Sequence, residues 1–201
     1  MPPSHASAST DVRGNIIAVG QRLISAKGFS AVGLNEILAE AGVPKGSFYH
    51  YFASKDAFGV ALLDHYFEDY LNEMDQTLAQ PDRSMAQRLL DYWTIWQENQ
   101  SFSDCQGKCL AVKLGAEVAD MSETMRAALN RGTGGIISRL AQAIAAGVAE
   151  GSFSIADEPG DLAQSLYQLW LGTSIMVKIS RNRQPFALAL QSTRQLLHVA
   201  G

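Results

Sequence analysis

The chain has 201 residues, 47% of them hydrophobic, which suits one large domain or a small domain joined to a larger one and excludes a disordered chain. Its net charge of −4 gives no global sign of a nucleic-acid partner, so charge has to be read by segment. Residues 1–57 carry five basic and four acidic side chains, a net +1, which leaves −5 for the rest; the direction is compatible with an N-terminal DNA reader.

Residues 1–10, "MPPSHASAST", lack the basic start and apolar run of a secretory signal and read as a disordered arm. Residues 11–26 have helical apolar spacing (Ile16, Ile17, Val19, Leu23, Ile24), with Thr10 as the expected N-cap and Gly28 as the stop. A short helix over 34–41 turns Ile37 and Leu38 inward, and "AGVPKG" makes a turn. Pro44 then favours a second short helix over 45–51, because a missing N–H costs nothing at a helix start. A longer helix, capped by Ser54, should run to about residue 78. Further helices are expected at 84–99, 108–119, 122–150, 160–181 and 186–199, separated by segments rich in Gly, Pro, Ser and Asp. The expected fold is all-α: a disordered arm (1–10), a three-helix helix-turn-helix head (11–57) and a larger helical body for sensing and dimerisation (58–201). The most apolar stretch, 166–179, contains Gln168, Thr173, Ser174 and Lys178 and is too short to span a bilayer, so no membrane partner is expected.

Two short helices joined by a tight turn place the second in the DNA major groove. "PKGSFYHYFASKDAF" suits that task. Lys45 would meet a phosphate or guanine edge, and Gly46 lets the backbone approach. Ser47, Tyr49, His50 and Tyr51 bring hydrogen-bond donors, and Lys55 would grip a phosphate at the start of the next helix. Phe48 and Phe52, spaced i, i+4, should face inward. One head reads few base pairs, so a homodimer on a double-stranded operator is expected. The helix over 160–181 is apolar on more than one face, as such an interface requires.

The chain's two cysteines, Cys105 and Cys109, come without a secretory signal, which implies reduced thiols and a cytoplasmic location. Cys109 falls at or near the start of the helix over 108–119. There the helix dipole, Lys108 and Lys113 would favour a thiolate. Leu110, Leu114 and Val118 form an inward stripe, beside which Cys109, Lys113 and Glu117 run one turn apart. Lys178 interrupts an apolar run, and such surroundings favour its neutral, nucleophilic amine. Cys105 is the candidate to resolve an oxidised Cys109 as a disulfide. No histidine completes a metal site with the cysteines, and neither metal nor cofactor is expected.

"AEAGVPKGSFYHYFASKDAF" (39–58), with Gly28-Phe29 and Ile37, resembles the signature of the tetracycline-repressor family of bacterial regulators over about the first 60 residues. It departs where Val32 and Gly33 stand in place of the usual Thr or Ser opening the second helix. "VPKGSFYHYF", with "KCLAVKL" and "VKISR", is similar to the N-ethylmaleimide-responsive group, which senses electrophiles or reactive chlorine. The resemblance implies a repressor, not an enzyme, released from its operator when an electrophile or oxidant modifies Cys109. It implies that Lys178 captures the oxidised sulfur, and that the last two helices build the dimer. Two alternatives stay open. One is a repressor with a noncovalent effector held by Tyr92, Trp93, Trp96, Trp170 and Met125. The other is an all-α thiol peroxide reductase using both cysteines.

Overall fold

The computed structural model describes the backbone of residues 5–105 and 109–198 and the side chains of 12–100 and 109–198. Among the described residues every regular element is an α-helix: α1 His5–Lys27, α2 Leu34–Ala41, α3 Lys45–Tyr51, α4 Lys55–Leu78, α5 Met85–Cys105, α6 Leu110–Met121, α7 Glu123–Glu150, α8 Pro159–Ser180 and α9 Gln184–Leu196. The all-α expectation therefore holds, and α2, α3 and α4 have the expected limits. α1 starts at His5, within the segment expected to be an arm, so Thr10 lies inside the helix and does not cap it. α5 continues to Cys105 through residues expected to break it. Serine, asparagine and aspartate weaken a helix by well under 1 kcal/mol each, about the cost of a valine, and do not forbid it.

The chain forms two compact units, each assembled from two segments: Met1–Tyr66 with Lys113–Asn130, and Phe67–Val112 with Arg131–Gly201. In the first, α2 packs on α1 and α3 on α2. Gly42 ends α2 at φ 66°, a conformation that an L side chain strains, and its N–H bonds back to Ala39. α2 opens at Gly33 with no side-chain cap, as the departure from the family pattern implied. Ser54 caps α4 by accepting the Ala57 N–H at 3.0 Å. The core is an aromatic triad, with Phe48–Phe52 and Phe52–Phe58 ring centroids each 5.1 Å apart. Gly20 lies against it, and a Cβ there would stand 2.3 Å from Phe58 Cζ, so a larger residue has to displace that buried ring.

In the second unit α8 packs on α9 and on α5. Trp170 stacks on Trp93 with centroids 4.6 Å apart and planes 11° apart, and on Phe186 at 6.0 Å. Two buried hydroxyls satisfy buried indoles. Trp96 Nε1 donates to Ser174 Oγ at 2.9 Å, and Trp170 Nε1 to Thr193 Oγ1 at 2.9 Å. Each hydroxyl passes its own proton to a helix carbonyl, Ser174 to Trp170 at 2.7 Å and Thr193 to Ala189 at 2.8 Å. The first turn of α5 is held by a Ser84–Gln87 capping box and by Glu150, which accepts the Met85 N–H.

Candidate nucleic-acid interface and thiol site

Packing decides which side of α3 is free. Phe48 and Phe52 are buried, as their spacing predicts. Lys45, Gly46, Tyr49 and His50 are exposed, and Ser47 and Tyr51 are half-buried. Tyr49 is 52% exposed, high for an aromatic residue on a seven-residue helix. Gly46 has no atom within 4 Å of where a Cβ would sit, so its open backbone is not explained by packing within the chain. The segments flanking α3 are held from α1: Asn15 Nδ2 donates to the carbonyl of Ala41, the last residue of α2, at 3.0 Å, and the Arg13 guanidinium lies 5.4 Å from the ring centroid of Phe52, the residue after α3.

Lys55 is placed differently from the other basic residues. Its Nζ donates to the Phe29 carbonyl at 2.8 Å and lies 4.6 Å from the centroid of the Phe29 ring. Burial lowers its pKa, against the opposing pull of Glu117 and Asp56. The ammonium is thus engaged on the turn between α1 and α2. The second residue that sequence reasoning undervalued is Glu117. Its Oε1 accepts the Ser30 N–H at 2.7 Å and its Oε2 the Phe29 N–H at 3.2 Å. Burial pushes its carboxyl up. The Ser30 hydroxyl and N–H, the Phe29 N–H and the Lys113 charge outweigh that and hold it below the usual range. Ser30 Oγ also donates to Met121 Sδ at 3.1 Å.

Cys109 is a free, buried thiol, 7% exposed, one residue before the first residue of α6. Leu110, Leu114 and Val118 are fully buried, as their stripe predicts. Lys113, expected to enrich the thiol's surroundings in positive charge, donates its Nζ to the Ala26 carbonyl at 3.1 Å. Cys105 closes α5; its side chain and residues 106–108, with Lys108, lie outside the described residues. Tyr92 and Tyr167 face the thiol electrostatically: burial raises both phenol pKa values, and charge at Cys109 raises them further. Tyr92 shares a hydrogen bond with Tyr70 at 2.8 Å. Lys178 lies half-buried in the last turn of α8, the helix that carries Tyr167. Of the side chains expected to line an effector site, Met125 packs at Gly59 in the first unit, and Tyr92, Trp93, Trp96 and Trp170 belong to the second. Among the described residues no cluster of His, Cys, Asp and Glu could hold a metal, and no helix is long and apolar enough to cross a membrane.

A three-helix head presenting the polar face of a short third helix, joined to a wholly helical body, defines a helix-turn-helix DNA-binding regulator. The chain belongs to the tetracycline-repressor family. Residues 16–62 match the model of bacterial regulatory proteins of the tetR family, and 86–193 match the tetracyclin repressor-like C-terminal domain. The HTH-type transcriptional repressor NemR of Escherichia coli strain K12 is 40% identical over 187 residues, covering 93% of this chain and 94% of the relative. The HTH-type transcriptional repressor DhaR of Mycobacterium sp. strain GP1 is 33% identical, covering 89% and 88%. The crystal structure of E. coli NemR in its reduced form superimposes with a TM-score of 0.90 at 39% identity, covering 95% of this chain and 99% of that one.

Proposed function

We propose that this protein is a cytoplasmic, dimeric transcriptional repressor that leaves its operator when an electrophile or oxidant modifies Cys109. The observation that carries the reading is the position of Cys109, a buried thiol at the entrance of α6, the helix whose later turns belong to the DNA-reading unit. A close-packed interior does not absorb an added group without moving, so an adduct there displaces the helix it precedes. The operator is read by Lys45, Gly46, Ser47, Tyr49, His50 and Tyr51, which occupy or border the open side of α3. From Lys55, the start of α4 contributes its backbone N–H. Hypochlorite would convert the Cys109 thiolate to a sulfenyl chloride, releasing hydroxide; the neutral Lys178 amine then attacks the sulfur, chloride leaves and a proton is lost to give a sulfur–nitrogen bond, and a Cys105 thiolate displacing the same chloride to give a disulfide is the alternative. The apolar side chains left exposed on α8 and α9, Ile175, Met176, Ile179 and Leu188, support pairing with a second copy.

A noncovalent effector is favoured by a different observation. Trp93 Nε1, Gln100 Oε1 and the Tyr167 hydroxyl are buried without a hydrogen-bond partner among the described residues. Trp96 lies next to two of them, with ring centroids 5.8 Å from Trp93 and 6.0 Å from Tyr167. Buried groups of this kind take their partner from ordered water or from a ligand, and a polar ligand seated here would find both donors and acceptors. Operator gel shifts with and without hypochlorite or a quinone decide between the two. Under the covalent reading Cys109→Ser stays bound under treatment that releases the wild type. Release of that variant to the same extent as the wild type sinks the covalent reading in favour of the noncovalent one. Sustained peroxide turnover with a thiol reductant would mark an enzyme instead.

A further inference from the structure

The turn between α1 and α2 is gripped by charges from two other helices. Gly28 ends α1 at φ 95° and sends its N–H to Ile24 at 2.8 Å. The next residue, Phe29, is held at both of its backbone polar groups. Glu117 of α6 takes its N–H at 3.2 Å, and Lys55 of α4 donates to its carbonyl at 2.8 Å. Glu117 reaches the following N–H as well, that of Ser30, at 2.7 Å. One turn earlier on α6, Lys113 donates to the Ala26 carbonyl at 3.1 Å, a cation at the helix end that favours one. The fit is close: a Cβ on Gly28 would stand 3.0 Å from Glu117 Oε2. None of these contacts lies on the open side of α3, and no such network is needed to bury the aromatic triad.

We infer that Glu117 is the positioning residue through which α6 sets the DNA-reading head for operator binding. Its two oxygens bind two consecutive amides of the turn that orders α2 against α1, and α3 packs on α2. When α6 is seated, the turn is closed and α3 is presented at a fixed angle to α1. When α6 is displaced, Phe29 and Ser30 lose their acceptors and α2 and α3 are released from that angle. The operator-binding part of this inference depends only on the head. Its link to the trigger rests on Cys109 acting as proposed above.

Glu117→Gln is the test, because the substitution keeps shape and offers one acceptor oxygen where two are used, turning an NH2 towards the second amide. The full-length protein, in a Cys105→Ser background, is compared as wild type and Glu117→Gln, reduced and after reaction with N-ethylmaleimide. The expected result is an operator affinity weakened about tenfold in the reduced variant, the size of one lost charge-assisted hydrogen bond. Amide exchange at Phe29 and Ser30 quickens, and the thermal midpoint falls by only a few degrees, so the variant stays folded where operator affinity is read. The ratio of operator affinities before and after N-ethylmaleimide also shrinks relative to the wild type. Lys113→Met, which cuts the other α6 bond, should reproduce the effect in weaker form and serves if Glu117→Gln does not fold. Unchanged reduced affinity in whichever variant folds overturns the inference, and so does an unchanged ratio when the wild type responds. A wild type indifferent to N-ethylmaleimide refutes the thiol trigger instead, and Glu117 then stands or falls on reduced affinity and exchange.

Discussion

The two compact units differ in the polar groups placed where distant segments meet. In the first the groups are charged and reach water: Glu117, Lys55 and Lys113 on the α1–α2 turn, and the exposed Arg22–Glu40 pair at 2.8 Å. In the second, the Arg139–Asp75 pair and Glu150 also tie distant segments near the surface, but the core joins them with neutral, buried groups, indole N–H groups delivered to Ser174 and Thr193 beneath stacked rings. An exposed pair such as Arg22–Glu40 has water as a replacement for either partner and opens at little cost. A buried hydroxyl that has lost its partner has none. The contrast leaves the packing of α8 on α9 tied by buried contacts that have no replacement partner, and the rim of the head tied by contacts that water can replace.

Substitutions should divide along the same line. The largest effect is expected from Trp170→Ala, which removes the ring stacked between Trp93 and Phe186 and the donor to Thr193; unfolding in urea should show a loss of about 3–5 kcal/mol. A loss below about 1 kcal/mol would mean that the body is not held by this stack. Thr193→Val keeps the shape and orphans the Trp170 N–H, for about 1–3 kcal/mol by the same measurement. At the small end, Arg22→Gln in the head should change stability by no more than about 0.5 kcal/mol, since both partners of that pair are largely exposed. If Arg22→Gln costs as much as Thr193→Val, the distinction between the units collapses.

Much of the head was legible in the chain, because local signals settle it. Gly42, Pro44 and Ser54 are strong punctuation, and the limits of α2 and α3 follow from them. Phe48 and Phe52, four residues apart, leave only one side of α3 free for DNA, so its candidate contacts could be named in advance. The end of α5 was misread because Ser101, Ser103 and Asp104 are weak breakers whose cost a long helix tolerates. The grip on Phe29 was out of reach for another reason. Glu117 and Ser30 are separated by 87 residues, and periodicity reports which face of a helix is polar without reporting what that face meets. For the same reason Lys55 was assigned outward to phosphate, although its ammonium turns inward to a carbonyl.

The division of the first unit between Met1–Tyr66 and Lys113–Asn130 bears on how this protein is made and how it could be recombined. A ribosome adding about 5–20 residues per second delivers the helix-turn-helix early, then takes several further seconds to supply its clasp. During that interval the nascent head lacks the carboxylate that closes its first turn, and the buried Met125 and Leu129 have yet to be made. An engineer grafting this DNA specificity onto another regulator faces the same arithmetic. A cut after Tyr66 would transplant the reading helix without its clasp, whereas a chimera carrying both segments would transplant a whole unit.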